Sequence, residues 1–125
     1  MRIILAKTVN QWFLNEKDVS EEDLLQAADQ IMEGVYDASL GRGIYKKRIS
    51  SKSGKGKSGG SRLLVAYKKE SDLFFMYAFN KNERDNIGTK EKEILKIRAK
   101  IYFEMAETDI AKAVNAKLFY EIKRG

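Results

Sequence analysis

The sequence predicts an α+β protein in which two N-terminal helices pack on a small antiparallel sheet, with further helices toward the C-terminus. Three observations lead there. The 125 residues are 43% hydrophobic, and a chain of this size makes one domain that buries roughly two-thirds of its unfolded surface. Apolar residues recur at helical spacing on either side of a central stretch in which they alternate in twos. Within that stretch, polar and glycine-bearing segments divide runs of strand length.

The first element is a strand over residues 2–7, carried by Ile3, Ile4, Leu5 and Ala6. Val9, Trp12 and Phe13 follow at i, i+3 and i+4, so a short helix is predicted before the polar break at residues 15–19. A second helix starts at Ser20, an N-cap residue followed by Glu21, Glu22 and Asp23, where the helix dipole favours negative charge. Leu24, Ala28, Ile31 and Val35 form its apolar face, and Gly34 marks its end. Residues 44–49, 62–68 and 73–79 read as a three-strand meander, joined by the Ser/Lys/Gly segment 50–60 and by a polar turn at residues 69–72. In the third strand Leu73, Phe75, Tyr77 and Phe79 fall on one face and Phe74, Met76 and Ala78 on the other, so it is expected at the centre of the sheet. Thr89 is placed at the cap of a long helix with Ile94, Ile97, Ile101 and Met105 as its buried stripe. Another helix begins near Thr108, with Ile110, Ala113 and Val114 inward, and residues 118–122 read as an edge strand.

The chain contains no Cys, His or Pro. That excludes disulfides, thiol nucleophiles, iron–sulfur and thiolate zinc centres, and the usual near-neutral acid/base. Any chemistry must use Lys, Arg, Asp, Glu, Tyr or the backbone. The apolar run at residues 3–6 is too short for a signal segment or a membrane span, so a cytoplasmic protein is expected. The net charge of +6 is unevenly spread: residues 1–37 carry −5, residues 38–69 carry +10 without one carboxylate, and residues 70–125 carry +1. Phosphate gains both Coulomb energy and counterion release against such a stretch, which makes nucleic acid the leading partner. A solvated basic loop, or a face covered by an acidic protein, fits the charge alone as well.

The two-residue period puts Lys46 and Arg48 on one face of their strand, and Tyr45 and Ile49 on the other. With Leu63, Val65 and Tyr67 inward on the next strand, Arg62 points outward, so Lys46, Arg48 and Arg62 are expected on one surface beside Lys52, Lys55 and Lys57. Fixed cations of this kind stabilise the extra negative charge of a pentacoordinate phosphate. Neighbouring like charges also lower a lysine's pKa enough for it to act as a base. The same residues equally suit a solvated strand face. The segment from Gly54 to Gly60 is not a nucleotide-binding P-loop: Ser51 stands where that motif needs glycine, and a strand follows where it needs a helix. In the polar turn after residue 79, Glu83 is a candidate base, with Lys81 and Arg84 as phosphate contacts; local ion pairs are the structural alternative.

Tyr45-Lys-Lys-Arg-Ile49, Gly60-Ser-Arg-Leu-Leu-Val-Ala-Tyr67 and Phe79-Asn-Lys-Asn-Glu-Arg-Asp-Asn-Ile87, in that order after two helices, resemble the RelE-like toxins of bacterial type II toxin–antitoxin modules, in the RelE/ParE superfamily. The resemblance covers residues 1–105 and is most specific over 44–87. It implies a single toxin domain over residues 1–125, with 106–125 a C-terminal extension. It also implies an endoribonuclease, independent of metal and cofactor, that stops translation by cutting mRNA in the ribosomal A site through attack of a ribose 2′-OH on the adjacent phosphate. On that resemblance Lys46 and Arg48 match the positions for proton abstraction and phosphate contact, Arg62 the transition-state stabiliser, and Lys81, Glu83 and Arg84 the polar turn. Lys47, Lys52, Lys55 and Lys57 join Lys81 and Arg84 as RNA contacts. Asn82 and Gly88 stand where well-characterised members have an arginine and a tyrosine, so the resemblance supplies no acid for the leaving group. It further implies a cognate antitoxin, expected to cover the 46–62 surface with carboxylates or an acidic helix. Two other readings stay open: a ParE-like toxin that inhibits DNA gyrase by binding it, which needs no leaving-group acid, and a simple RNA-binding domain.

Overall fold

The computed structural model describes residues 1–49, 60–80 and 86–124. Among them the elements run β1 (Ile3–Ala6), α1 (Lys7–Asn15), α2 (Glu21–Met32), β2 (Ala38–Gly41), β3 (Ile44–Ile49), β4 (Ser61–Ala66), β5 (Leu73–Asn80), α3 (Thr89–Glu104), α4 (Glu107–Asn115) and β6 (Phe119–Ile122). The strands form one sheet in the order β2-β3-β4-β5-β1-β6. The α+β class and the β3-β4-β5 meander are as the sequence predicts, while the parallel pairing of β1 with β5 makes the sheet mixed.

Both faces of this sheet are covered. One core packs α1 and α2 on Leu5, Leu63, Val65, Leu73 and Phe75; the other packs α3 and α4 on Ile4, Leu64, Ala66, Phe74 and Met76. β1 lies between β5 and β6, so all four of its residues are buried, as a continuous apolar run requires of an inner strand. β6 pairs antiparallel with β1, and Ile110 of α4 and Phe119 of β6 are core residues. Residues 107–122 are thus built into the sheet and its second helical layer rather than appended to them. Tyr102 packs between Phe74 and Phe119, with ring centroids 5.0 and 5.2 Å away, and burial pushes its hydroxyl pKa up against the opposing pull of Arg98.

Helix α2 follows its sequence signals closely. Asp23 N–H donates to Ser20 Oγ at 3.2 Å while Ser20 N–H donates to Asp23 Oδ2 at 2.9 Å, a reciprocal capping box. At the other end Gly34 adopts a φ of 87°, and the N–H groups of Gly34 and Val35 donate to the carbonyls of Ile31 and Gln30. This Schellman closure puts Val35 beyond the helix and exposed, not on the apolar face expected for it. Removing the cap with Ser20→Ala should lower unfolding free energy by about 1 kcal/mol, read as a shifted urea midpoint at unchanged slope.

Three expectations are corrected by packing. β2 has no strong apolar alternation and is missing from the sequence reading; it forms by pairing with β3 across a tight turn in which Arg42 and Gly43 have φ of 56° and 79°. On β5 the register slips, with Leu64 opposite Tyr77 but Val65 opposite Phe75, so Met76 is an extra residue in the strand. Beyond that bulge the alternation reverses: Tyr77 and Phe79 join Phe74 and Met76 on the α3 face, while Ala78 turns to the α1/α2 face. Helix α3 buries Leu95 and Ala99, whereas Ile94, Ile97 and Ile101 are 49%, 63% and 53% exposed. Its N-cap is Gly88, whose N–H donates to Glu91 Oε1 at 2.9 Å, with Thr89 the first helical residue.

Candidate functional site

Strand β3 shares its α3 face among Ile44, Lys46 and Arg48, because Ile44 belongs to the α3-side core and the strand period is two. Leu64 and Ala66 fix β4 in the same way and bring Arg62 to that face. The antiparallel register sets Arg48 directly opposite Arg62, and Lys46 opposite Leu64. The expected grouping of Lys46, Arg48 and Arg62 is therefore present. It lies on a face that is core at one end and polar at the other, not on a face wholly open to solvent.

Two arginines in register across a ladder suit a two-sided grip on phosphate, since each guanidinium can donate two parallel hydrogen bonds to its oxygens. The backbone near Arg48 is tied down locally: its N–H donates to Asp37 Oδ2 at 2.6 Å, and Asp37 N–H donates to the Lys46 carbonyl at 2.9 Å. Arg48 and Ile49 also border a polar groove of about 350 Å³ against Asp23, Gln26 and Gln30 of α2.

Lys47 departs from the group. It is in register with Leu63 and so lies on the α1/α2 face with Tyr45 and Ile49, because neighbours on a strand point to opposite sides. Lys52, Lys55, Lys57, Lys81, Glu83 and Arg84 lie outside the described residues. The strand that ends at Asn80 is firmly held. Asn80 Oδ1 accepts from Trp12 Nε1 at 3.2 Å and from Ser61 Oγ at 2.8 Å, and Asn80 Nδ2 donates to Glu16 Oε2 at 3.1 Å. This network locks the ends of β4 and β5 to α1 one residue away from Arg62.

Tyr77 is the residue that sequence reasoning missed. The bulge at Met76 turns it onto the α3 face, where the row Lys46–Leu64–Tyr77 runs beside the row Arg48–Arg62–Phe79. Tyr77 stacks on Phe79 with centroids 6.0 Å apart and borders a groove of about 140 Å³ with Glu91, Ile94, Leu95 and Arg98. A strict two-residue period hides it, and no local signal in residues 73–80 marks the bulge. Among the described residues no group of three or more acidic side chains is arranged to hold a metal ion, and no helix is long and apolar enough to cross a membrane.

Paired arginines, a nearby lysine and a tyrosine are compatible with several phosphate chemistries, so comparison with known families matters. The family model described as "RelE toxin of RelE / RelB toxin-antitoxin system" matches residues 1–122. The chain belongs to the RelE toxin family. No curated protein matches it. As a RelE toxin it is the toxin component of a toxin–antitoxin module, with an antitoxin as its partner. The RelE match extends through α4 and β6, in keeping with the place of those elements in the sheet.

Proposed function

We propose that this toxin is a ribosome-dependent mRNA endoribonuclease whose chemistry runs on side-chain cations. The observation that carries the reading is the Arg48–Arg62 pair with Lys46 on the same face. In the proposed reaction Lys46 takes the proton of a ribose 2′-hydroxyl, with Glu83 as the carboxylate that can share this role. The 2′-oxygen bonds to phosphorus, the bond from phosphorus to the 5′-oxygen breaks, and the products carry a 2′,3′-cyclic phosphate and a 5′-hydroxyl. Arg48 grips the phosphate in the ground state, while Arg62 neutralises the charge that develops on its oxygens, the larger lever on rate. Lys52, Lys55, Lys57, Lys81 and Arg84 hold flanking RNA, and Lys47 contacts it from the sheet margin.

Tyr77 fills the role that the resemblance leaves vacant, giving its phenolic proton to the departing 5′-oxygen. It lies two strands from Lys46, roughly 10 Å between backbones, which leaves room for a phosphate between a base on one side and an acid on the other. A tyrosine on the cationic face supports catalysis over a purely gyrase-binding toxin, which needs no leaving-group acid. A purified translation reaction tests the reading: cuts in mRNA should require both toxin and ribosomes and should leave cyclic phosphate ends. Tyr77→Phe should slow those cuts by about 10²-fold or more with RNA binding unchanged. Absence of cleavage overturns the nuclease, and an undiminished Tyr77→Phe rate removes Tyr77 from the mechanism.

A further inference from the structure

Arg62 is the second residue of β4, and Ser61 before it forms the last pair of both ladders, with Ile49 of β3 and with Asn80 of β5. The side chain proposed to neutralise the transition state therefore sits one pair from the end of the sheet. Chain segments at such ends fray at little cost in free energy. A charge donor at a reacting centre cannot tolerate fraying, because a displacement of about 1 Å there costs on the order of 10²-fold in rate.

Asn80 holds this corner together. Its Oδ1 accepts from Ser61 Oγ at 2.8 Å and from Trp12 Nε1 at 3.2 Å, while its Nδ2 donates to Glu16 Oε2 at 3.1 Å. The bond to Ser61 crosses the ladder beside Arg62, and Asn80 directly follows Phe79, the residue opposite Arg62. Among the described residues Ser61 is the one polar residue that is buried, and leaving its hydroxyl unpaired would carry a desolvation penalty. The bonds to Trp12 and Glu16 anchor the corner to α1, which is seated by buried Val9 and by Trp12 and Phe13 packed on the core. A carboxamide suits all three contacts, since its oxygen accepts from two donors while its nitrogen donates to a carboxylate. Aspartate would keep both acceptor contacts but set a second carboxylate against Glu16.

We infer that Asn80 is a positioning residue for Arg62: its carboxamide ties Ser61 of β4 to α1 and so holds the Arg62 guanidinium on the reacting phosphate. The inference rests on the proposed nuclease and adds α1 to its machinery. The test measures kcat and KM for mRNA cleavage by the full chain on purified ribosomes. Asn80→Asp should lower kcat by about 10-fold or more with KM little changed. In an Arg62→Ala background the same substitution should lower kcat no further, because its effect passes through Arg62; a merely structural loss would add in full. Glu16→Gln should rescue Asn80→Asp, since the new amide can donate to the new carboxylate. If melting shows Asn80→Asp to be misfolded, Trp12→Phe takes its place, keeping the packed ring and removing only the N–H donor. It should lower kcat by about 3-fold or more in the wild-type background and not at all with Arg62→Ala. Additive losses, failed rescue or an unchanged kcat in a folded variant overturn the inference, while cleavage by the wild type leaves the nuclease standing. A wild type that cuts no mRNA overturns both.

Discussion

Arg62→Ala should cut ribosome-dependent mRNA cleavage by about 10²–10³-fold, the usual cost of losing one donor aimed at developing charge, and should abolish growth inhibition. The expectation rests on where β4 holds this side chain. Ser61 and Leu63 on either side are buried toward the α1/α2 core, which fixes Arg62 on the opposite face, between Arg48 of β3 and Phe79 of β5. Its backbone partners belong to the ladder and survive truncation, so the strand pairing should persist in the variant. Arg62→Lys should recover little, because an ammonium cannot reproduce the planar two-point grip of a guanidinium on phosphate. Cleavage rates, growth curves and a thermal melt of the same variants separate lost chemistry from lost structure. A folded Arg62→Ala protein that still arrests growth would refute its role.

Phe75→Ala has the largest expected effect on stability. Phe75 is fully buried in the α1/α2 core, in register with Leu5 of β1 and Val65 of β4, so it stands where the parallel and antiparallel parts of the sheet meet. Truncating a buried phenylalanine costs about 3–5 kcal/mol through lost transfer energy and an unfilled cavity. Against a total stability of about 5–15 kcal/mol, that should lower the melting temperature by roughly 10–25 °C. Ile97→Ala, at a residue 63% exposed on α3, should move it little. Equal shifts for the two would contradict the assignment of inner and outer faces.

Much of the architecture was legible along the chain, and the reason is locality. Ser20, Asp23 and Gly34 begin and end α2 through hydrogen bonds spanning a few residues, so the signal and the structure occupy the same window. The strand character of residues 44–49 and the shared face of Lys46 and Arg48 follow from the pleat alone. The faces of α3 were not legible in this way. Periodicity finds both the stripe of Ile94, Ile97 and Ile101 and the stripe of Leu95 and Ala99, and hydrophobicity favours the isoleucines. What settles it is the second face of the sheet, where Leu95 and Ala99 join Phe74 and Met76 in the core. The isoleucines stay on the exposed side of the helix.

The sequence by itself determined the α+β class, the two N-terminal helices, the meander, the acid-free charge block and the motifs of the family to which the chain belongs. Only the tertiary structure decided that β1 runs parallel to β5 inside a sheet covered on both faces. It alone decided that Arg48 meets Arg62 across the ladder and that Tyr77 shares their face. The physical reason is common to these cases. Strand neighbours, register and a one-residue bulge are set by contacts between segments far apart in the chain, and a slip of one position moves every later side chain to the opposite face.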